Sequence, residues 1–341
     1  MNNCQCKYSM KPILSIILPC YNVAPYLDRC FKSIYSQNFE YPFEVIAVND
    51  ASTDDTLQLL EYYCTQYKNL RIINHQQNQK LTGARTSGMR AAQGAYIMHL
   101  DPDDYLLPNS LSSIFENYDY WDILIANIIV ETLNGNKLRY NLSERIYNLN
   151  NSSDRKVIFQ AVATGTCFAK IIKASLLKSL YYFDFNYNLG EDRAFNVEVF
   201  SKATTIKFIN KPIYYYCFNS TSLDRDKKIK LDILDWDNSW VRNIKLLYQH
   251  NLLSPEAKEV TRKEIERFSI GLLLKIRNAD NPEELFKLWK NYFLNQIEIF
   301  KNKQKIYKLI FKINSFKISL PLYLLIPMNI DAIKSKIRTI I

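Results

Sequence analysis

Glycine is scarce in this chain, with seven in 341 residues. Loops must be built from Asn, Asp, Ser and Pro instead. No Gly-x-Gly-x-x-Gly follows the first apolar run and no P-loop lysine motif occurs anywhere, so the dinucleotide and P-loop nucleotidase readings lose their main support. Only three histidines are present, and the seven cysteines (Cys4, Cys6, Cys20, Cys30, Cys64, Cys167, Cys217) are scattered without a Cys-x-x-Cys pair. That pattern argues against a disulfide framework and makes a poor zinc site even at Cys4 and Cys6; a reduced compartment is expected. Long apolar runs are missing too. Ile13 to Leu18 is cut short by Pro19, and Ile318 to Ile330 spans thirteen residues broken by Pro321 and Pro327. A spanning helix needs roughly 20, and a secretory signal needs different flanks, so a cytoplasmic protein is expected.

Charge is present but unevenly divided. Residues 1 to 224 carry 21 Lys+Arg against 21 Asp+Glu, so the net +10 comes wholly from residues 225 to 341, with 23 against 13. From Lys301 onward nine bases face one acid, Asp331. In that stretch Ile306, Leu309, Ile310 and Ile313 share one helical face with Lys305, Lys308 and Lys312 beside it. Two readings of residues 301 to 341 stay open: contact with an anionic inner-membrane surface, or apolar packing on the rest of the protein with a wet lysine side. Nucleic acid is the weaker partner, since Lys outnumbers Arg there and an acidic cleft lies elsewhere.

The first hundred residues alternate strand and helix patterns. Ile13–Leu18, Phe43–Val48, Leu70–Asn74 and Tyr96–Leu100 read as strands; Pro25–Ser36, Asp54–Tyr67 and Gly83–Ala92 read as helices. Strict alternation predicts right-handed crossovers and a parallel sheet. After Pro108 the pattern loosens. Ile123–Val130 is expected as a strand, Asn134-Gly135 as a hairpin turn, Asn148–Asp154 as a polar loop, Lys170–Leu180 and Asp192–Lys202 as helices, and Ile206–Ile209 and Ile213–Cys217 as strands. Beyond Asp224 the chain reads as helical, with Ser254-Pro255-Glu256 and Asn281-Pro282-Glu283 as helix starts.

The chemistry gathers at strand ends. After Tyr96–Leu100 come three carboxylates in four residues, Asp101, Asp103 and Asp104. Such crowding calls for a cation or donors to neutralise it, and hard oxygen ligands suit Mg²⁺ or Mn²⁺. A solvated Asp-Pro turn is the plainer alternative for this loop. Leu18-Pro19-Cys20-Tyr21-Asn22 and Val48-Asn49-Asp50 close two other strands, and Gly190-Glu191-Asp192 opens a helix. In open α/β sheets ligands collect at such ends.

In their order and spacing these motifs resemble the family-2 glycosyltransferases. The resemblance runs from about Ile13 to Leu223. Ser15 to Asn22 is similar to the family's opening strand and Tyr-Asn turn, and Val48 to Asp55 to its Asp-Asp-Gly-Ser-x-Asp-Asp segment. Gly83-Ala84-Arg85 through Gly94 is similar to its Ala-Arg-Asn-x-Gly helix, Asp101-Pro102-Asp103-Asp104 to its Asp-x-Asp motif, Glu191-Asp192 to its catalytic pair, and Ile213 to Leu223 to its closing Tyr-x-Tyr segment. Asn49, Ala51 and Thr86 depart from the pattern, standing for an acid, a glycine and an asparagine.

The resemblance implies a GT-A fold: an α/β, Rossmann-like, mostly parallel central sheet flanked by helices. It would occupy residues 10–225, with a nucleotide-sugar half to about 125 and an acceptor half at 126–225, followed by a basic helical region at 226–341. It implies an inverting, metal-dependent transfer of a sugar from a nucleotide-diphosphate donor, usually a UDP-sugar, to a hydroxyl of a glycan or lipid-linked glycan in cell-surface polysaccharide synthesis. Asp192 would be the catalytic base, Pro19, Tyr21, Asp50, Arg85 and Asp101 donor contacts, and Asp103 with Asp101 the holders of Mn²⁺ or Mg²⁺. A silent nucleotide-sugar-binding module with a working helical tail is the alternative; it predicts loss of Asp103 or Asp192, and both are present.

Overall fold

The computed structural model describes residues 11–116, 120–133, 135–161, 166–178, 180, 191–218 and 254–256. The expectations for residues 226–341, the 301–341 segment among them, lie outside the described residues apart from Ser254-Pro255-Glu256, where Pro255 and Glu256 are helical as the start signal predicts.

The alternating first half is confirmed. It runs β1 (Leu14–Cys20), α1 (Ala24–Tyr35), β2 (Phe43–Asn49), α2 (Thr56–Gln66), β3 (Leu70–Asn74), α3 (Lys80–Ala91) and β4 (Tyr96–His99). In α1 a proline sits in the first turn and Lys32 in the last, while Leu27, Cys30, Phe31 and Ile34 form the buried stripe. Every residue of β1 is buried, because helices cover both faces of a parallel sheet. On α3 a side chain at Gly88 would overlap the Ile17 methyl, so the helix lies directly on β1 and carries Arg85 and Ser87 close to the strand ends.

The second half adds β5 (Tyr105–Leu106), α4 (Ser110–Phe115), β6 (Ile123–Thr132), β7 (Gly135–Leu138), β8 (Arg145–Asn148), α5 (Ser152–Ala161), β9 (Lys170–Lys173), α6 (Ala174–Leu177), α7 (Glu191–Lys202) and β10 (Thr205–Tyr216). The ten strands among the described residues join one sheet in the order β3-β2-β1-β4-β9-β6-β10-β5, with β7 on β6 and β8 on β10. β3, β2, β1 and β4 are mutually parallel, and β9 enters antiparallel between β4 and β6. Among the described residues no helix is long and apolar enough to cross a membrane.

Three expectations change. Lys170–Leu180, read as a helix, begins as β9: Ile171 and Ile172 pair with both neighbouring strands and are fully buried, and tertiary pairing overrides a short ambiguous pattern. The polar loop at 148–154 shrinks to a turn, because β8 ends at Asn148 and α5 begins at Ser152. The two strands at 206–209 and 213–217 are one strand, β10, whose pairing with β6 shifts register on either side of Pro212, a residue with no N–H to donate. The predicted hairpin is present, with Thr132 opposite Gly135 at φ +98°; Asn134 itself lies outside the described residues.

Parallel register sets the site. Cys20 pairs with Asn49 and Ile17 with His99, so β1, β2 and β4 deliver Tyr21, Asp50 and Asp101 from adjacent strand ends.

Candidate active site

The three carboxylates after β4 have three different fates. Asp104 is buried and accepts hydrogen bonds from the Tyr214 hydroxyl at 2.7 Å and the Cys217 N–H at 2.8 Å. Burial, with the charges of Asp103 and Asp101 adding to it, pushes its pKa up to about 8. The Tyr214 hydroxyl also accepts the Asp101 N–H at 3.2 Å, so one side chain of β10 ties both ends of the acidic loop. Asp101 itself is held by Arg85, whose Nη2 lies 2.9 and 3.2 Å from its two oxygens. The Asp103 carboxylate has no hydrogen-bond or ion-pair partner among the described residues, while its backbone carbonyl accepts from Arg29 of α1, which also lies 5.2 Å over the Tyr105 ring.

Arg85 makes a second contact. Its Nη1 donates to Asp192 Oδ1 at 2.6 Å, so one nearly buried guanidinium bridges the acidic loop and the first turn of α7. Burial alone would raise the Asp192 pKa. The Arg85 charge and hydrogen bonds from Cys167 outweigh it, and the net shift is downward, leaving Asp192 ionised at neutral pH. Asp101 goes the other way, raised by burial and by the like charges of Asp103 and Asp192 against the pull of Arg85.

Behind this bridge a cavity of about 10 Å³ is lined by Arg85, His99, Cys167, Asp192 and Phe195 among others. Burial, then the Arg85 charge, lowers the His99 pKa to about 3, and neither ring nitrogen has a hydrogen-bond partner among the described residues. His99 is therefore neutral.

On the β1–β2 side the two strand-end loops are laced together. Ser52 Oγ accepts from Asn22 N–H at 3.1 Å, Asn22 Oδ1 accepts from Thr53 N–H at 2.8 Å, and Asp54 accepts from both Thr56 N–H at 3.0 Å and Ala24 N–H at 3.2 Å. Asp54 thus serves the starts of α1 and α2 together. Asp50 is buried, with His75 Nδ1 at 2.7 Å and the Gln79 N–H at 2.8 Å on the same oxygen, Oδ1. Tyr21 stands half exposed one residue past Cys20, whose strand partner Asn49 precedes Asp50, and Pro19 is buried in β1 opposite Val48.

The departures from the family pattern have structural counterparts. Asn49 donates to Asn74 Oδ1 at 2.7 Å and accepts from Ser52 N–H at 3.3 Å, two bonds that an acid could not make together. Ala51 keeps the left-handed backbone, at φ 57°, that a glycine adopts freely. Thr86 turns its hydroxyl back to the Thr82 carbonyl at 2.7 Å.

The donor set fits a hard divalent ion. Among the described residues no three His, Cys, Asp or Glu side chains converge into a complete cage. Mg²⁺-type sites seldom need one, since substrate phosphates and waters supply the remaining oxygens, and Asp103 offers an uncommitted carboxylate with Asp101 two residues away. The structure brings Asp192, Arg85 and Asp101 to one place, with Asp103 in the same loop, and puts Asp50 in a separate cluster with His75 and Gln79. Sequence reasoning named the four acids and Arg85 as site residues but missed His75, Ser87, His99, Cys167 and Tyr214. His75 and His99 are two of only three histidines in the chain, and that scarcity was the one signal available.

Residues 15–181 match Glycosyl transferase family 2. The uncharacterized glycosyltransferase EpsJ of Bacillus subtilis is 27% identical over 228 residues, covering 63% of each chain. The poly(ribitol-phosphate) beta-N-acetylglucosaminyltransferase TarS of Staphylococcus aureus is 28% identical over 207 residues, 59% of this chain and 35% of that one. The match therefore spans less than two thirds of either relative's length. The crystal structure of TarS 1-349 in complex with UDP-GlcNAc superposes with a TM-score of 0.66 at 22% identity, covering 84% of this chain and 81% of that chain. Fold, motif order and family match agree: residues 15–181 are a glycosyl transferase family 2 domain, and the fold is GT-A.

Proposed function

We propose that this chain transfers a sugar from a UDP-sugar to a hydroxyl of a cell-envelope glycan, with inversion at the anomeric carbon. The observation that carries the reading is Asp192: a carboxylate kept ionised by Arg85 and placed against the acidic loop that follows β4. In one in-line step the acceptor oxygen forms a bond to the anomeric carbon, the bond from that carbon to the diphosphate oxygen breaks, and the acceptor proton passes to Asp192. A divalent ion at Asp103 and Asp101 would balance the negative charge of the departing diphosphate. Arg85 has a second use in this scheme. A diphosphate arriving beside it draws on the guanidinium charge, which loosens its hold on Asp192 and raises that carboxylate's proton affinity when a base is needed. The relatives' names support an envelope acceptor, since TarS acts on poly(ribitol phosphate), and the TarS complex supports a UDP donor.

The test is a screen of UDP- and GDP-sugars for donor hydrolysis and transfer, repeated with Asp192→Asn. The amide keeps the shape and cannot take the proton, so nucleotide binding stays near normal while turnover falls by about 10²-fold or more. Unchanged turnover in the variant removes Asp192 as the base.

A further inference from the structure

The cluster around Asp50 is more elaborate than a buried acid needs. Its Oδ1 takes two hydrogen bonds, from His75 Nδ1 at 2.7 Å and from the Gln79 N–H at 2.8 Å, while Oδ2 takes none among the described residues. A carboxylate only accepts, so Nδ1 of His75 carries the hydrogen. With the hydrogen on Nδ1, the other ring nitrogen, Nε2, can accept from the Ser87 hydroxyl 2.8 Å away. The ring is pinned from its backbone as well, because His75 N–H donates to the Asn49 carbonyl at 2.9 Å, and Asn78 Nδ2 donates to the Asp50 carbonyl at 3.2 Å. Three elements meet here: β2 ends one residue before Asp50, β3 one residue before His75, and α3 contributes Ser87. The result is a buried carboxylate held through Oδ1, with Oδ2 unpartnered among the described residues.

We propose that His75, anchored by Ser87, is a positioning residue for the donor's base. By fixing Asp50 with Oδ2 as its single open acceptor, it selects a base that presents a ring N–H, as uracil does, over one that presents a ring nitrogen lone pair at the same place, as cytosine does. The inference rests on the UDP-sugar reading above and adds to it the residue that sets base selectivity. The physical reason is asymmetric. A ring N–H on Oδ2 completes a charge-assisted hydrogen bond, whereas a lone pair facing it leaves two acceptors in contact and a partly buried charge unpaired. Sites built to hydrogen-bond a donor reject analogues that lack it far more strongly than apolar pockets reject size changes. A free carboxylate could swing or share both oxygens and would lose part of that discrimination.

The experiment measures UDP and CDP dissociation constants by calorimetry on the full chain with Mn²⁺ present, for wild type, His75→Asn and His75→Gln. The Asn amide nitrogen falls where Nδ1 stands, so H75N keeps UDP affinity within about threefold. The Gln amide falls nearer Nε2 and leaves Oδ1 without its histidine donor. H75Q therefore loses about tenfold in UDP affinity with CDP little changed, and the preference narrows. If H75Q does not fold, Ser87→Ala, which frees the ring without touching Asp50, carries the same comparison: a narrowed preference is expected and an unchanged one overturns the proposal. Wild-type protein that binds both nucleotides alike, or neither, overturns the donor reading and this inference together. A wild-type preference for UDP that H75Q retains, or that H75N loses as fully as H75Q, overturns the role of His75 alone.

Discussion

Arg85 Nη1 stands 2.6 Å from Asp192 Oδ1 across 107 residues of sequence, and the same guanidinium holds Asp101 through its other arm. A planar fork suits two carboxylates in a way that an ammonium does not. Without it two acids of the site face each other across a poorly solvated space, and both resist ionisation. Arg85 therefore helps to set the pH range over which Asp192 is ionised.

The first prediction follows from the sign of that effect. Arg85 lowers the Asp192 pKa, so Arg85→Met should raise it and move the acidic limb of the kcat/KM pH profile to higher pH. Turnover at neutral pH should fall by about 10²-fold, with Arg85→Lys recovering only part. A profile whose acidic limb stays in place shows that Asp192 does not depend on Arg85.

Much of this was legible in the sequence because it is periodic or local. β1, β2 and β4 announce themselves as short apolar runs stopped by polar residues, and the acids at 101, 103 and 104 follow one of them directly. What the sequence hid is pairing at long separation. Nothing in Lys170–Leu180 says that Ile171 will lie between two strands, and nothing near Asp104 says that Tyr214 will cap it. Three adjacent carboxylates ask for neutralisation. Only the fold shows that the protein answers for two of them itself, with Arg85 and Tyr214, and that the Asp103 carboxylate has no such partner among the described residues.

That division gives the second prediction. If Asp103 is the carboxylate left for a divalent ion, Asp103→Ala should abolish sugar transfer, and chelation should abolish it in wild type with recovery on adding Mn²⁺ or Mg²⁺. Asp104→Ala should act differently, because Asp104 is a structural acceptor for Tyr214 and Cys217, and the variant should lose thermal stability as well as activity. Full turnover of wild type in excess EDTA contradicts the metal assignment.

Ala51 supplies a test of backbone strain. A left-handed backbone costs a non-glycine residue about 1–2 kcal/mol, and glycine gives back up to about 1 kcal/mol through the greater entropy of its unfolded chain. Ala51→Gly should therefore stabilise the protein by roughly 0.5–1 kcal/mol, read as a rise in denaturation midpoint. A fall in the midpoint means that the methyl makes a contact worth more than the strain at φ 57°.

His99 makes the last prediction. The ring is buried beside Phe195, with centroids 5.8 Å apart, and its folded pKa of about 3 lies well below the ordinary value of 6.5. Above pH 6.5 the ring is neutral in both states and favours neither. As pH falls from 6.5 towards 3 the unfolded chain takes up a proton that the folded protein refuses, so stability drops by about 1.4 kcal/mol per pH unit from this group alone. Between pH 6.5 and pH 5 that amounts to roughly 2 kcal/mol. His99→Leu removes the proton site, replaces two ring nitrogens that lack partners with an apolar side chain of similar size, and leaves the contact with Phe195 in place. Thermal or urea denaturation of both proteins at pH 7 and pH 5 should show the wild type losing more stability on acidification than H99L, by about that amount. Equal losses in the two proteins would mean that His99 takes up its proton in the folded state, with a water in the adjoining cavity as the obvious partner.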